Sequence, residues 1–171
     1  MPVKSHLKGD CLLLLTALIW GSAFVAQKTG MDHIGPFIFN GVRFGLGALA
    51  LTPLALRTRG PQRFVQNTPA LPSLYLSSAV AGILLFAGSS LQQAGLIFTT
   101  AGKAGFITGL YVIIVPLLGL IWGQRAGLWA WFGAVLAVSG LYFLTMKSGA
   151  TLGLGDTLVL LCALMFALHV M

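Results

Sequence analysis

Acidic residues are almost absent from this chain. Asp10, Asp32 and Asp156 are its three carboxylates, and glutamate does not occur in 171 residues. All three stand at or near the ends of apolar runs, so paired carboxylates for acid–base catalysis are missing. Cysteine is equally scarce. Cys11 and Cys162 lie in apolar runs without CxxC or Cys/His spacing, a pattern of small hydrophobes rather than of a disulfide framework or a metal site. Charge of either sign is thin, 8% of residues against about 25% in soluble domains, which leaves too little polar material for a water-facing surface. The motifs of soluble enzymes are missing as well. There is no GxGxxG, no GK[ST] phosphate loop, no HExxH and no GxSxG, so neither a catalytic residue nor a cofactor is expected.

The abundant residues are apolar ones, 57% of the chain with a mean hydropathy of +0.94, together with 22 glycines. Glycine is commoner in membrane helices than in soluble ones. The composition is that of an integral membrane protein, and the bilayer admits helices as its simplest spanning element. The net charge of +7 comes from ten thinly spread basic residues, not from a cluster that could grip nucleic acid. His6, His33 and His169 are isolated and read as bystanders rather than as a proton relay.

About 20 apolar residues cross a bilayer core. Five uncharged stretches meet or approach that length: Cys11–Gln27, Ile34–Leu56 (with Arg43), Ala70–Phe98, Ala104–Gly123 and Ala126–Met146. A sixth run opens at Thr157 and is still apolar at Met171. The expected fold is therefore an all-α transmembrane bundle of five helices and a shortened sixth. Residues 1–10 form a tail, 11–146 the bundle, and 147–171 a loop with the opening helix of another unit. Arg57–Pro72, polar and proline-bearing, is the one substantial loop. Lys4 and Lys8 followed by an apolar run and Gly21-Ser22-Ala23 also resemble a signal peptide. The remainder is itself membrane, and the first helix has a later counterpart, which argues against cleavage.

That counterpart is an internal repeat. GDCLLLLTAL at Gly9–Leu18 aligns without gaps on GDTLVLLCAL at Gly155–Leu164, seven of ten positions being identical at an offset of 146 residues. Two units of this kind commonly build secondary transporters, and an odd number of helices per unit inverts the second copy. With the N-terminus in the cytoplasm, Lys4, Lys8, Arg57, Arg59, Arg63 and Arg125 fall inside, against Lys28, Lys103 and Lys147 outside. This imbalance favours a cytoplasmic N-terminus.

Within Ile34–Leu56, Arg43 is the one ionisable residue. Insertion scales put such a charge at about 2.5–3.5 kcal/mol at a helix centre, and it almost always faces the bundle interior or a wet cavity. At helical spacing Pro36, Asn40, Arg43, Gly47 and Ala50 form a small, polar stripe opposite Phe37, Phe44 and Leu51. With no acid evident at membrane depth, the partners open to Arg43 are backbone carbonyls, Gln92, Gln93, Thr99 or a bound anion. Gly41xxxGly45, Gly105xxxGly109, Gly119xxxGly123 and Ser78xxxGly82 are expected to mark close helix packing. The stretch TTAGKAGFITGLYVIIVPLL, Thr99–Leu118, combines hydroxyls, Lys103, Tyr111 and an interior Pro116 that should bend its helix. Lys103 could reach the headgroups or face a central cavity. The candidate path-lining residues are Arg43, Asn40, Trp20, Thr99, Thr100, Lys103, Tyr111 and Pro116.

IWGSAFVAQKTG followed by GPFIFNGVRFGLGALAL resembles the opening of EamA-type members of the drug/metabolite transporter superfamily, through Trp20-Gly21, Lys28, Pro36 and Arg43-Phe44. TTAGKAGFITGLYVIIVPLLGLIWGQRAG is similar to that family's second signature, except that Gln124 stands where a glutamate is common. The resemblance covers about residues 10–146. It implies ten helices in two inverted repeats around a central cavity, and movement of small metabolites or drugs without ATP hydrolysis. On that standard most of a second repeat is missing. The leading expectation is a secondary-transport permease of the cell inner membrane, exporting a small-molecule substrate by alternating access. Its partners would be the lipid bilayer and a second copy or a missing C-terminal half. The rivals are a half-size transporter that must dimerise and a non-transporting membrane fragment or subunit. A small multidrug-type pump fits poorly, because such pumps depend on a glutamate in the first helix, and Cys11–Gln27 contains no acid.

Overall fold

A computed structural model describes residues 4–57, 71–123, 127–147 and 152–171. Among them there are seven helices and no strand: α1 (Lys4–Gly30), α2 (Pro36–Arg57), α3 (Leu71–Phe98), α4 (Ala101–Gly109), α5 (Tyr111–Ile121), α6 (Leu128–Lys147) and α7 (Leu154–Val170). Arg59, Arg63, Gln124 and Arg125 lie outside the described residues. Gly9–Gly30, Pro36–Arg57, Tyr75–Phe98 and Ala101–Ile121 are long and apolar enough to cross a membrane. The last of these combines α4 and α5. The bundle is therefore all-α and transmembrane, and its seven helical pieces make the six expected runs. Its outer surface is apolar, with Leu13 70%, Ile83 66% and Val135 64% exposed, side chains that lipid tails solvate and water would not.

Helix α7 is central rather than peripheral. Its main interface is with α3, followed by α4 and α5. The reason lies in its small side chains. Gly155, Val159, Cys162, Ala163 and Ala167 make one buried face, the last four fully enclosed. Where α3 crosses it, a Cβ on Gly95 would stand 2.7 Å from the Gly155 carbonyl oxygen, and a Cβ on Gly155 would stand 2.7 Å from the Gly95 oxygen. Neither position can carry a side chain without separating the helices. At the other end, His169 Nδ1 lies 2.8 Å from the Ala81 carbonyl and ties the last turn of α7 to α3.

Two expectations are corrected here. The glycine pairs expected at helix contacts mostly point elsewhere: a Cβ on Gly41, Gly45, Gly82, Gly109 or Gly123 would meet nothing within 4 Å. The tight approaches fall on Gly30, Gly88, Gly95, Gly140 and Gly155, which the GxxxG pattern does not single out. The bend expected at Pro116 also lies earlier. The Leu110 N–H donates to the Ile107 carbonyl at 3.1 Å, while the Leu110 carbonyl accepts from Ile113 at 2.9 Å and Ile114 at 3.0 Å. This tightened turn separates α4 from α5, and Pro116 sits inside α5. Gly109, directly before the turn, costs about 1 kcal/mol of helix propensity relative to alanine.

Candidate functional site

The site is built from the C-terminal end of α1, the N-terminal half of α2 and the middle of α3. On α1, Phe24 and Gln27 are three residues apart and face inward together, at 9% and 6% exposure. On α2, the polar stripe turns toward the bundle at Asn40, which is buried, and at Arg43, which is half-buried, whereas Gly47 and Ala50 are exposed. The Arg43 Nη1 donates to Gln27 Oε1 at 2.7 Å, and its Cζ lies 4.9 Å from the centre of the Phe44 ring. This partner, Gln27, differs from the carbonyls, Gln92, Gln93, Thr99 or bound anion expected for Arg43. Its signal was present in the sequence, an amide within one turn of the helix-one lysine, but only the α1–α2 crossing aims it at Arg43.

Arg43 opens into a cavity of about 320 Å³ lined by Trp20, Phe24, Gln27, Phe44, Leu85, Ser89, Gln92 and Phe166. Four helices, α1, α2, α3 and α7, thus supply its walls. Gln92 Nε2 also donates to Thr108 Oγ1 at 3.1 Å, extending the polar seam to α4. A second cavity, of about 360 Å³, adjoins the first across Phe44 and Leu85 and is lined by Asn40. Neither the amide nitrogen nor the amide oxygen of Asn40 has a hydrogen-bond partner, although the residue is 2% exposed. Gln93, fully enclosed, is unpartnered in the same way. A third cavity, of about 560 Å³, lies between α1 and the α4–α5 break, where Trp20, Phe24, Thr108 and Tyr111 line it. Trp20 and Phe24 face both this cavity and the one at Arg43. Tyr111 packs edge-on against Phe166 with ring centres 6.5 Å apart.

Thr99, Thr100 and Lys103 gather elsewhere, around a carboxylate, whereas Pro116 lies inside α5. Lys103 Nζ meets Asp156 Oδ2 at 2.5 Å, Thr99 Oγ1 donates to Asp156 Oδ1 at 2.7 Å, and the Gly153 N–H donates to Oδ2 at 3.0 Å. Lys103 is therefore turned into the bundle against Asp156 rather than extended to the headgroups. It is 6% exposed beside Asp156 at 4%. This is the one salt bridge among the described residues. Thr100 caps α4, its hydroxyl accepting the Lys103 N–H at 3.2 Å. Lys28 is likewise occupied. Its Nζ donates to the carbonyls of Leu96, Ile97 and Thr99 at 2.5, 3.0 and 3.1 Å, neutralising the orphan acceptors at the end of α3. No group of three metal-ligating side chains occurs among the described residues.

Comparison with known proteins identifies the family. The model of the EamA-like transporter family matches residues 7–146. An uncharacterized transporter of Archaeoglobus fulgidus is 36% identical over 166 residues, 96% of this chain and 48% of the relative. A second transporter of that organism is 29% identical over 175 residues, 99% of this chain and 57% of the relative. The uncharacterized transporter YvbV of Bacillus subtilis is 28% identical over 130 residues, 75% of this chain and 41% of its own length. No solved structure matches the chain. The chain spans about half the length of these curated relatives. With its apolar spans, its glycine-crossed bundle and a family match over most of its length, this multi-pass membrane protein belongs to the EamA-like transporter family.

Proposed function

We propose that the chain forms half of the translocation pathway of a secondary permease, exporting small metabolites or drugs across the cell inner membrane by alternating access. The observation that carries this reading is the Arg43 cavity: α1, α2 and α3 join polar side chains, and α7 adds Phe166, around a cation that no carboxylate among the described residues neutralises. Such charges in membrane spans mark substrate or ion pathways. The interrupted α4–α5 span beside it supports the same reading, since broken helices border transporter binding sites. The excess of basic residues on one side supports a cytoplasmic N-terminus.

The other half of the pathway packs on α1. The buried positions Gly155, Asp156, Val159 and Cys162 of α7 align with Gly9, Asp10, Leu13 and Thr16 of α1, all exposed. The same stripe is covered in one copy of the repeat and bare in the other. A second, inverted unit placing its own α3 and α4 on α1 completes the symmetry, with Asp10 taking the part of Asp156.

The test is counterflow of a panel of radiolabelled metabolites and drugs into proteoliposomes. Two proteins are compared, the 171-residue chain and the chain fused at Met171 to the C-terminal half of its 36%-identical relative. Saturable counterflow that is lost in Arg43→Gln at equal insertion supports the proposal. Activity of the chain alone assigns the second unit to another copy, and activity of the fusion alone assigns it to a longer polypeptide. Failure of both to exceed protein-free liposomes overturns it.

A further inference from the structure

Three cations lie toward the end of the bundle where α1 and α3 finish, and the packing treats them differently. Lys103 has a carboxylate, and Lys28 has three carbonyls. Arg43 has one neutral amide oxygen and the face of Phe44. A guanidinium carries five N–H donors. An amide oxygen accepts one of them and cancels no charge, so most of the donor fork and all of the formal charge remain available on the cavity side. The cavity around it is unlike an inorganic-anion site. Trp20, Phe24, Phe44 and Phe166 are its walls, with Ser89 and Gln92 as further polar groups. A small hydrated anion such as sulfate gains nothing from aromatic walls, and a neutral ring leaves the guanidinium unmatched.

We infer that the Arg43 cavity binds an organic monocarboxylate carrying one flat, apolar ring, with the carboxylate forked on Arg43 and the ring between the aromatic walls. This deepens the permease reading and rests on it for the ligand's role as cargo. Arginine pairs with carboxylates through two parallel hydrogen bonds, a geometry that lysine cannot supply. Stacked or edge-on aromatic contacts take the ring. A volume of about 320 Å³ admits a one-ring acid and little more. A single uncompensated positive charge selects a monoanion over a dianion.

Calorimetric titration of the purified full chain in lipid nanodiscs tests the inference with 3-phenylpropanoate, 3-phenylpropanamide and acetate as probes. Empty nanodiscs supply the partitioning background. In the wild-type protein the acid binds saturably, and the amide binds about ten- to a hundredfold more weakly, the value of a charge-assisted pair. Acetate, lacking the ring, is also at least about tenfold weaker. Arg43→Gln removes the preference for acid over amide, Arg43→Lys retains part of it, and Trp20→Leu weakens acid and amide alike. Equal binding of acid and amide overturns the inference without recourse to any variant. So does undiminished acid binding in Arg43→Gln, or acetate binding as well as phenylpropanoate does. The two readings fail separately. Acid-selective binding without counterflow by chain or fusion leaves the site standing and ends the permease reading. Counterflow of panel compounds with no preference for acids does the reverse.

Discussion

Replacing Asp156 by asparagine tests how α7 is held at the centre of the bundle. Three donors, from Lys103, Thr99 and Gly153, converge on the two carboxylate oxygens. An asparagine offers one oxygen and turns an N–H₂ group toward the remaining donors. It also leaves the ammonium of Lys103, 6% exposed, without a counter-charge. Breaking a buried pair from one side costs about 3–5 kcal/mol, whereas removing both partners is often close to neutral. Cys162 is a built-in reporter. It is fully enclosed on the same helix, while Cys11 is exposed and can be replaced by alanine beforehand. When opening is fast relative to labelling, maleimide modification of Cys162 follows the population of detached α7. At a tenfold change per 1.4 kcal/mol, Asp156→Asn should accelerate labelling by about a hundred- to a few-thousand-fold. Lys103→Met should act similarly, and the pair Lys103→Met with Asp156→Leu should return to within about tenfold of the parent. Single variants that label within about threefold of the parent, or a double variant as fast as the two effects multiplied, would refute the reasoning.

Three further outcomes follow from the packing. Lys28→Met strips three carbonyls at the end of α3 of their charged donor and should lower the midpoint of thermal unfolding in detergent. The loss is about 2–4 kcal/mol, and an unchanged midpoint contradicts the capping role. Gly95→Ala places a methyl 2.7 Å from the Gly155 oxygen and should destabilise by about 1–3 kcal/mol, read as faster Cys162 labelling, whereas Gly41→Ala, with open space around it, should leave labelling unchanged. Asn40→Leu removes a buried amide with no partner and should hold or raise thermal stability. A loss of more than about 1 kcal/mol shows that the amide has a partner the bundle itself does not supply.

How much was legible in advance differs from residue to residue. Arg43 was legible because its cost in hydrocarbon is local: whatever the tertiary arrangement, an isolated guanidinium must find polar company. Its actual partner was not, since Gln27 stands 16 residues away on another helix, and its place beside Lys28 does not by itself aim it at Arg43 rather than leave that role to Gln92 or Gln93. Thr99 and Lys103 read as path residues because hydroxyls and a lysine opening a helix fit a binding site as well as an ion pair. Asp156 decides between them, 53 residues beyond Lys103.

Sequence alone determined the class: with 8% charged residues and apolar runs of spanning length, a helical membrane bundle is the arrangement that satisfies the backbone without water. The match between Gly9–Leu18 and Gly155–Leu164 was legible too, because identities at a fixed offset need no structure to be counted. Only the tertiary structure decided which small residues permit contact, where the fourth span breaks, and which cation keeps its charge free. Those outcomes depend on which helices cross and at what height, and in a uniformly apolar chain many pairings bury the same surface, so short-range pattern cannot rank them.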